Sequence, residues 1–545
     1  MLMNHPIQPK LVRLAGIVGL AAVTSLSASE KLSVVTAGKT EAARVIGPAW
    51  ELTPQGLTAE GTGRFLYAKK AIGAGDFRIT ARLSLARIDG SAASFEINGS
   101  RLGFDGRSQT LFSEGPLFEG AKPAVQGRTI PGIPFDFEVI REKGLTRFLV
   151  GGQEIQRKEQ WDGPAGNVGF RPWRNRMTLA SFAIEGNLIE PPQPPAPLFP
   201  SGKDGYHTYR IPALAVTGKG TVLAFCEGRK NSWGDSGDID LLVKRSTDNG
   251  KTWSKQQVIW DDGSNCCGNP CVVVDRETGT LFLLSTWNRG DDHEGAIIAK
   301  TSKDTRRVFA LQSTDDGLTW SKPQEITGTA KKPDWTWYAT GPGSGIQIEN
   351  GPHKNRLVIP CDHIEAETKH YYSHIIYSDD HGKTWQLGGR ASQHQVNECE
   401  VVELTGGKLM LNMRNYNRAS RTRQTAVSDD GGVTWHSQAH DPALIEPICQ
   451  AAIERLRWPQ GDQPGVIIFS NPASTKGRVN LTLRVSMDDA KTWPLAKVLW
   501  AGPSAYSDLA VLSNGQIACL YEGGAENIAE SIIFAAVDLQ ELRDK

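Results

Sequence analysis

Phe77, Ile79, Ala81, Leu83 and Leu85 alternate with Arg78, Thr80, Arg82 and Ser84, a period of two that predicts a strand with one buried face. Phe135, Phe137 and Val139 repeat the pattern. The run from Leu145 to Val150 meets Gly151-Gly152 and returns from Gln153 to Arg157, which predicts a tight hairpin. No helical period interrupts the region, so residues 30–188 read as an antiparallel β-sandwich. Pro191, Pro192, Pro194, Pro195, Pro197 and Pro200 then crowd together. They predict a stiff extended linker over 189–200, without strand pairing, and a domain boundary.

Beyond the prolines the pattern changes to short β-rich runs, such as Thr221 to Cys226, Ile239 to Lys244, Cys271 to Asp275 and Leu281 to Ser285. A fixed phrase punctuates them. It begins as Ser246-Thr-Asp248-Asn-Gly250-Lys-Thr252-Trp253 and recurs from Ser313, Ser378, Ser428 and Ser486, the last copy with Ala490 in the glycine slot. The starts are 67, 65, 50 and 58 residues apart, the mark of one supersecondary unit copied and stacked. Ser and Asp side chains can bond nearby backbone N–H groups, Gly accepts positive φ, and Thr-Trp begins a strand with a large apolar anchor. We read the phrase as a structural staple that closes a hairpin. At a mean spacing of 60 residues, 201–545 holds six units, which predicts a six-bladed β-propeller behind the sandwich, the last blade closed by a strand from the start of the domain.

The chain has 545 residues, too many for a single core, with 60 Lys+Arg against 60 Asp+Glu. That balance offers no basic surface for nucleic acid, so recognition of a charged ligand has to be local. Lys10 and Arg13, an apolar run from Leu14 to about Leu26, and Ser27-Ala28-Ser29 follow the order of a secretory leader over 1–29. The run is too short for a comfortable bilayer span, so an exported protein without a membrane span in the mature chain is expected. Eight cysteines (Cys226, Cys266, Cys267, Cys271, Cys361, Cys399, Cys449 and Cys519) all lie beyond residue 200, mostly in apolar runs, and read as small buried hydrophobes. They form no C-x-x-C pair, and no paired histidines complete a zinc set.

Tyr209-Arg210-Ile211-Pro212 opens the second region, and Arg414 and Arg478 stand near strand ends in later repeats, where a ring could bring all three to its axis. With these residues the chain resembles the bacterial-type exo-α-sialidase (neuraminidase) family. The five phrases are similar to its Asp boxes, Tyr209 to Pro212 to its opening motif, and Arg210, Arg414 and Arg478 to its arginine triad. The resemblance covers about 200–545. It implies an acid/base aspartate at Asp235, a nucleophile at Tyr506 in Gly502-Pro-Ser-Ala-Tyr506-Ser507-Asp508, and a partner carboxylate at Glu398. Asp238 and Asp240 stand close by, and Asp235 is preferred because a loop carries it. Arg229 resembles a further substrate-contacting arginine, and Asp334 to Gly343 a loop whose aromatic residues border the sugar. The front sandwich resembles the jelly-roll modules that accompany carbohydrate-active enzymes.

These assignments make chemical sense. Sialic acid carries a carboxylate on its anomeric carbon, which guanidinium forks can hold by charge-assisted bonds worth roughly 1.5–3 kcal/mol each. A carboxylate nucleophile would meet that charge head-on, whereas a tyrosine avoids the repulsion. The phenol costs about 4 kcal/mol to ionise at pH 7, so a neighbouring base has to take its proton. The resemblance implies sialylated glycans as substrates and neither metal nor organic cofactor. Transfer or intramolecular transfer would use the same residues with an aromatic acceptor platform. A non-catalytic sialic-acid-binding propeller would have lost Asp235, Glu398 or Tyr506.

Overall fold

The computed structural model describes residues 29–543 apart from 37–38, 90–92, 105–109, 119–121, 123, 126–128, 162 and 192–193. The leader-like run, 1–28, lies outside the described residues. The N-terminal region is a pair of antiparallel sheets closed over one core. The first runs in the order Gln153–Lys158, Leu145–Val150, Phe135–Glu142, Phe77–Leu85, Arg176–Gly186, Gly56–Glu60 and Glu51–Thr53, with Glu30–Val35 also paired to Arg176–Gly186. The second runs Ser113–Glu114, Ser100–Gly103, Ser94–Ile97, Val168–Arg171, Phe65–Ala68 and Ala43–Ile46. Period-two patterning does what it should here. Phe77, Ile79, Ala81, Leu83 and Leu85 enter the core, while Arg78 and Arg82 face solvent and pair with Glu138 and Asp136 of the neighbouring strand. Gly151 and Gly152 turn the hairpin at φ +56° and +77°, values that cost other residues a Cβ clash.

The proline-rich stretch departs from its expected form. Pro197–Pro200 is a strand and pairs with Ser531–Val537, Pro200 opposite Ser531 and Phe199 opposite Ile532. A strand on the edge of its sheet needs donors on one side only, so proline is tolerated there, and Phe199 is fully buried against Tyr209. The last strands are thus closed by the stretch just before residue 201, where a strand from within the second region was expected.

The rest of the chain is made of successive antiparallel runs. They are Thr208–Val216, Val222–Arg229, Ile239–Ser246 and Gln257–Trp260; then Cys266–Val274, Leu281–Asn288, Arg307–Ser313 and Gln324–Glu325; then Trp335–Thr340 with Ile346–Gln347, Leu357–Glu365, Tyr371–Ser378 and Gln386–Arg390. Val396–Glu403, Leu409–Asn415, Thr422–Ser428 and His436–Ile445 follow. Ala452–Arg457, Val466–Pro472 and Val479–Ser486 share the long strand Leu495–Val511 with Ile517–Gly523, Ser531–Val537 and the proline edge strand. No helix among the described residues is long and apolar enough to cross a membrane.

Each repeated phrase closes the hairpin between the third and fourth strands of its run. The serine hydroxyl donates to the aspartate (2.7–2.8 Å), and the threonine hydroxyl donates to the other carboxylate oxygen (2.5–2.6 Å). Ala490 takes the glycine place at φ +60°. The tryptophans go further than staples within one run. Trp320 packs on Phe225 and Trp385 on Phe282, each in the preceding run, and Trp435 shares a core with Val358 and Ile375. Trp253, in the earliest run, packs on Phe534 of the last strands.

Candidate active site

The first strands of these runs are regular at both ends and broken in the middle. Pairing shifts register between Arg210 and Ala213, Gly268 and Cys271, Trp335 and Tyr338, Val396 and Cys399, and Ser504 and Ser507. The skipped residues include Ile211, Asn269, Trp337, Glu398 and Tyr506. A β-bulge re-aims the side chains it carries, and Ile211-Pro212 and Asn269-Pro270 suit it because proline has no N–H to give the ladder. Ile211 and Asn269 sit at φ +60° and +52°. The interrupted strands thus turn polar side chains out of their sheets and toward one another.

Tyr506 is at the centre of the result. Its hydroxyl donates to Glu398 Oε1 at 2.6 Å and accepts from Arg414 Nη1 at 2.9 Å. Arg414 also pairs with Glu398 Oε2. The guanidiniums of Arg210 and Arg478 lie 5.2 and 5.6 Å from the centre of the Tyr506 ring. Burial and the Glu398 charge push the phenol well above its ordinary pKa, and Arg414 and Arg478 pull it only part of the way back. The phenol is therefore neutral and its proton points at Glu398.

Asp235 stands on the loop between Val222–Arg229 and Ile239–Ser246. Its carboxylate is 2.8 Å from Arg229 Nη1 and 3.6 Å from Arg210 Nη1, so Arg210 bridges the aspartate and the tyrosine. Desolvation by the surrounding protein works to raise the pKa of this solvent-facing carboxyl, but the charges of Arg229 and Arg210 outweigh it and hold it below its usual range. All seven residues expected from the sequence are thus brought into one cluster.

Residues not foreseen complete it. Glu522, fully buried, accepts from Arg210 Nε and Nη2 at 2.8 and 3.2 Å and from the Ile211 N–H at 2.8 Å. Glu227 holds Arg229 through Nε and Nη2, at 3.0 and 2.7 Å, and accepts from the Asn269 N–H. Arg306 donates to the Tyr338 carbonyl at 2.8 Å and lies under the Trp337 ring at 4.0 Å, which ties the aromatic loop to the site. A carboxylate inside an apolar run, as in Leu520-Tyr521-Glu522 or Phe225-Cys226-Glu227, is the sequence signal that could have found the two glutamates. Arg210 and Arg414 each have a carboxylate partner; among the described interactions Arg478 has none, its contacts being the Ile448 carbonyl at 3.4 Å and the Tyr506 ring. Of the three arginines it is the one whose charge is left without a paired carboxylate among the described interactions. All eight cysteines are buried and unpaired, held as thiols by burial.

Residues 220–519 match the family model of the BNR repeat-like domain. A sialidase of Micromonospora viridifaciens is 37% identical over 333 residues, which cover 59% of this chain and 51% of that protein. A sialidase of Bacteroides fragilis is 33% identical over 360 residues, covering 63% and 64%. The chain therefore spans about half to two thirds of the length of these relatives. Among solved structures, a Hadza microbial sialidase, Hz136, has a TM-score of 0.58 at 24% identity over 92% of this chain and all of that one, a likeness of fold that reaches across both regions. Matched over more than half its length by the repeat family and along most of its repeat region by named relatives, the chain belongs to the bacterial-type exo-α-sialidase family with Asp-box repeats.

Proposed function

We propose that the chain is an exported, retaining exo-α-sialidase that hydrolyses terminal sialic acid from glycoproteins, glycolipids or oligosaccharides, on a closed six-bladed ring. The observation that carries this is the buried phenol hydroxyl of Tyr506, bonded to Glu398 and Arg414 and flanked by Arg210 and Arg478. The sialidase relatives support the substrate class.

The substrate carboxylate is taken by Arg210, Arg414 and Arg478, which fixes the anomeric carbon over the phenol. As Tyr506 Oη forms its bond to that carbon, Glu398 takes the phenol proton and Asp235 gives a proton to the departing glycosidic oxygen. In the second half Asp235 takes a proton from the attacking water, the sugar–tyrosine bond breaks, and Glu398 returns the proton to the phenolate. Two inversions leave the configuration retained. Asp235 is ionised in the free protein, the wrong form for an acid. An anionic substrate neutralises the arginine charge that holds its pKa down. Substrate binding therefore helps to charge the acid with its proton.

Tyr506→Phe tests the reading. Release of 4-methylumbelliferone from its α-sialoside should fall by roughly a thousandfold or more with the fold intact. Turnover near that of the unaltered protein would remove the nucleophile assignment.

A further inference from the structure

The acid aspartate projects from its loop with its side chain 69% exposed, and the loop has little regular structure to hold it. The structure points to a dedicated clamp at its base. Lys230 is the first loop residue, and its N–H donates to the Asp238 carbonyl at 3.1 Å, so the loop begins and ends at one point. Its ammonium lies 3.0 Å from Asp238 Oδ1, 3.1 Å from Asp240 Oδ2 and 3.3 Å from Asp261 Oδ2. These three carboxylates come within 4.8 Å of one another. Such a cluster repels itself unless a cation lies within it, and here the cation is the chain's own lysine. Asp240 is 1% exposed and takes the Tyr206 hydroxyl at 2.6 Å, which anchors the clamp to the buried first strands. Further along the loop, Arg229 Nη1 donates to the Trp233 carbonyl at 2.5 Å, and Ser236 Oγ meets His293 Nδ1 at 2.6 Å.

We infer that Lys230, through Asp238, Asp240 and Asp261, is a positioning residue that holds the Asp235 loop in place for proton donation to the leaving group. The inference rests on the sialidase reading above. Among the described interactions the Lys230 ammonium meets Asp238, Asp240 and Asp261 and none of Tyr506, Arg210, Arg414 or Arg478, so it does not act directly on the nucleophile or the anion clamp.

That separation gives a test. A phenol such as 4-methylumbelliferone leaves with little help from an acid, whereas the galactose of sialyllactose needs its oxygen protonated. Lys230→Met in the full chain should lower kcat/KM, which reports the step that expels the leaving group, about tenfold or more for sialyllactose, while kcat/KM for 4-methylumbelliferyl sialoside falls less than threefold. Lys230→Arg, which keeps a cation among the carboxylates, should recover most of the loss. If Lys230→Met does not fold, Asp261→Asn loosens the same clamp from its exposed side and should give a smaller loss with the same preference. Equal losses of kcat/KM on the two substrates, or none on either, would overturn the clamp. Absence of sialic acid release from both by the unaltered protein would instead overturn the sialidase reading, and the clamp with it.

Discussion

Replacing Glu398 by Gln keeps the size of the side chain and removes its ability to take a proton. The Tyr506 hydroxyl lies 2.6 Å from Glu398 Oε1 and has no other carboxylate acceptor among the described hydrogen bonds. Ionising an ordinary tyrosine at pH 7 costs about 4 kcal/mol, a factor of roughly a thousand, and burial here moves the phenol further up. A base that accepts the proton as the bond forms avoids that cost. Arg414 works in the opposite direction, because losing its carboxylate partner frees its charge to favour the tyrosinate. The two effects place the expected fall in kcat between about 10² and 10⁴. KM should stay level or fall, since Arg414 gains freedom to bind the substrate anion. The rate should also rise about tenfold per pH unit between roughly pH 6 and 9, as the small tyrosinate fraction grows. Initial rates with the 4-methylumbelliferyl sialoside across that range would show all three. A kcat within tenfold of the unaltered protein, or a loss confined to KM, would refute Glu398 as the base.

Arg478→Ala should raise KM roughly 10- to 150-fold, the loss of one charge-assisted contact of about 1.5–3 kcal/mol, with a smaller change in kcat; an unchanged KM would count against the anion clamp. Trp385→Ala, which empties the contact with Phe282 of the preceding run, should cost about 3–5 kcal/mol in urea denaturation, and a loss under 1 kcal/mol would deny the tryptophans their role between runs. Glu400 and Asp508 are buried side by side, both converging on Gly343. Burial raises both carboxyls, Asp508 to about 7. The folded protein thus keeps a proton there that the unfolded chain loses near pH 4. Stability should fall by about 1.4 kcal/mol or more per pH unit from roughly pH 4 to 7. Asp508→Asn should flatten that slope in thermal unfolding, and parallel profiles for the two proteins would rule out the shared proton.

The fold was legible where the information is local. The alternation over Phe77–Leu85 and the Ser-Asp-Gly-Thr-Trp phrases carry their own geometry, so strands and hairpins could be placed without knowing what they pack on. The edge strand Pro197–Pro200 was hidden because its partner lies more than 300 residues away, and local composition argued for a linker. The seven residues of the candidate site were singled out through their fit to a family pattern. Their supports were not, because Glu522 meets Arg210 across 312 residues, and no spacing announces such a pair. The bulges at Ile211, Glu398 and Tyr506 are likewise a property of pairing rather than of either strand. They decide whether a polar residue in a β-run points into its sheet or toward the site.

The central claim is a bond between the sugar and Tyr506. A 3-fluorosialosyl fluoride has a reactive leaving group for the first step and a fluorine that slows the second, so the intermediate should accumulate. Digestion and mass spectrometry should then find one fluorosialyl group on the peptide that contains Tyr506, absent in Tyr506→Phe. Inactivation with the label on a carboxylate such as Asp235 or Glu398, or turnover by inversion without any adduct, would contradict the account.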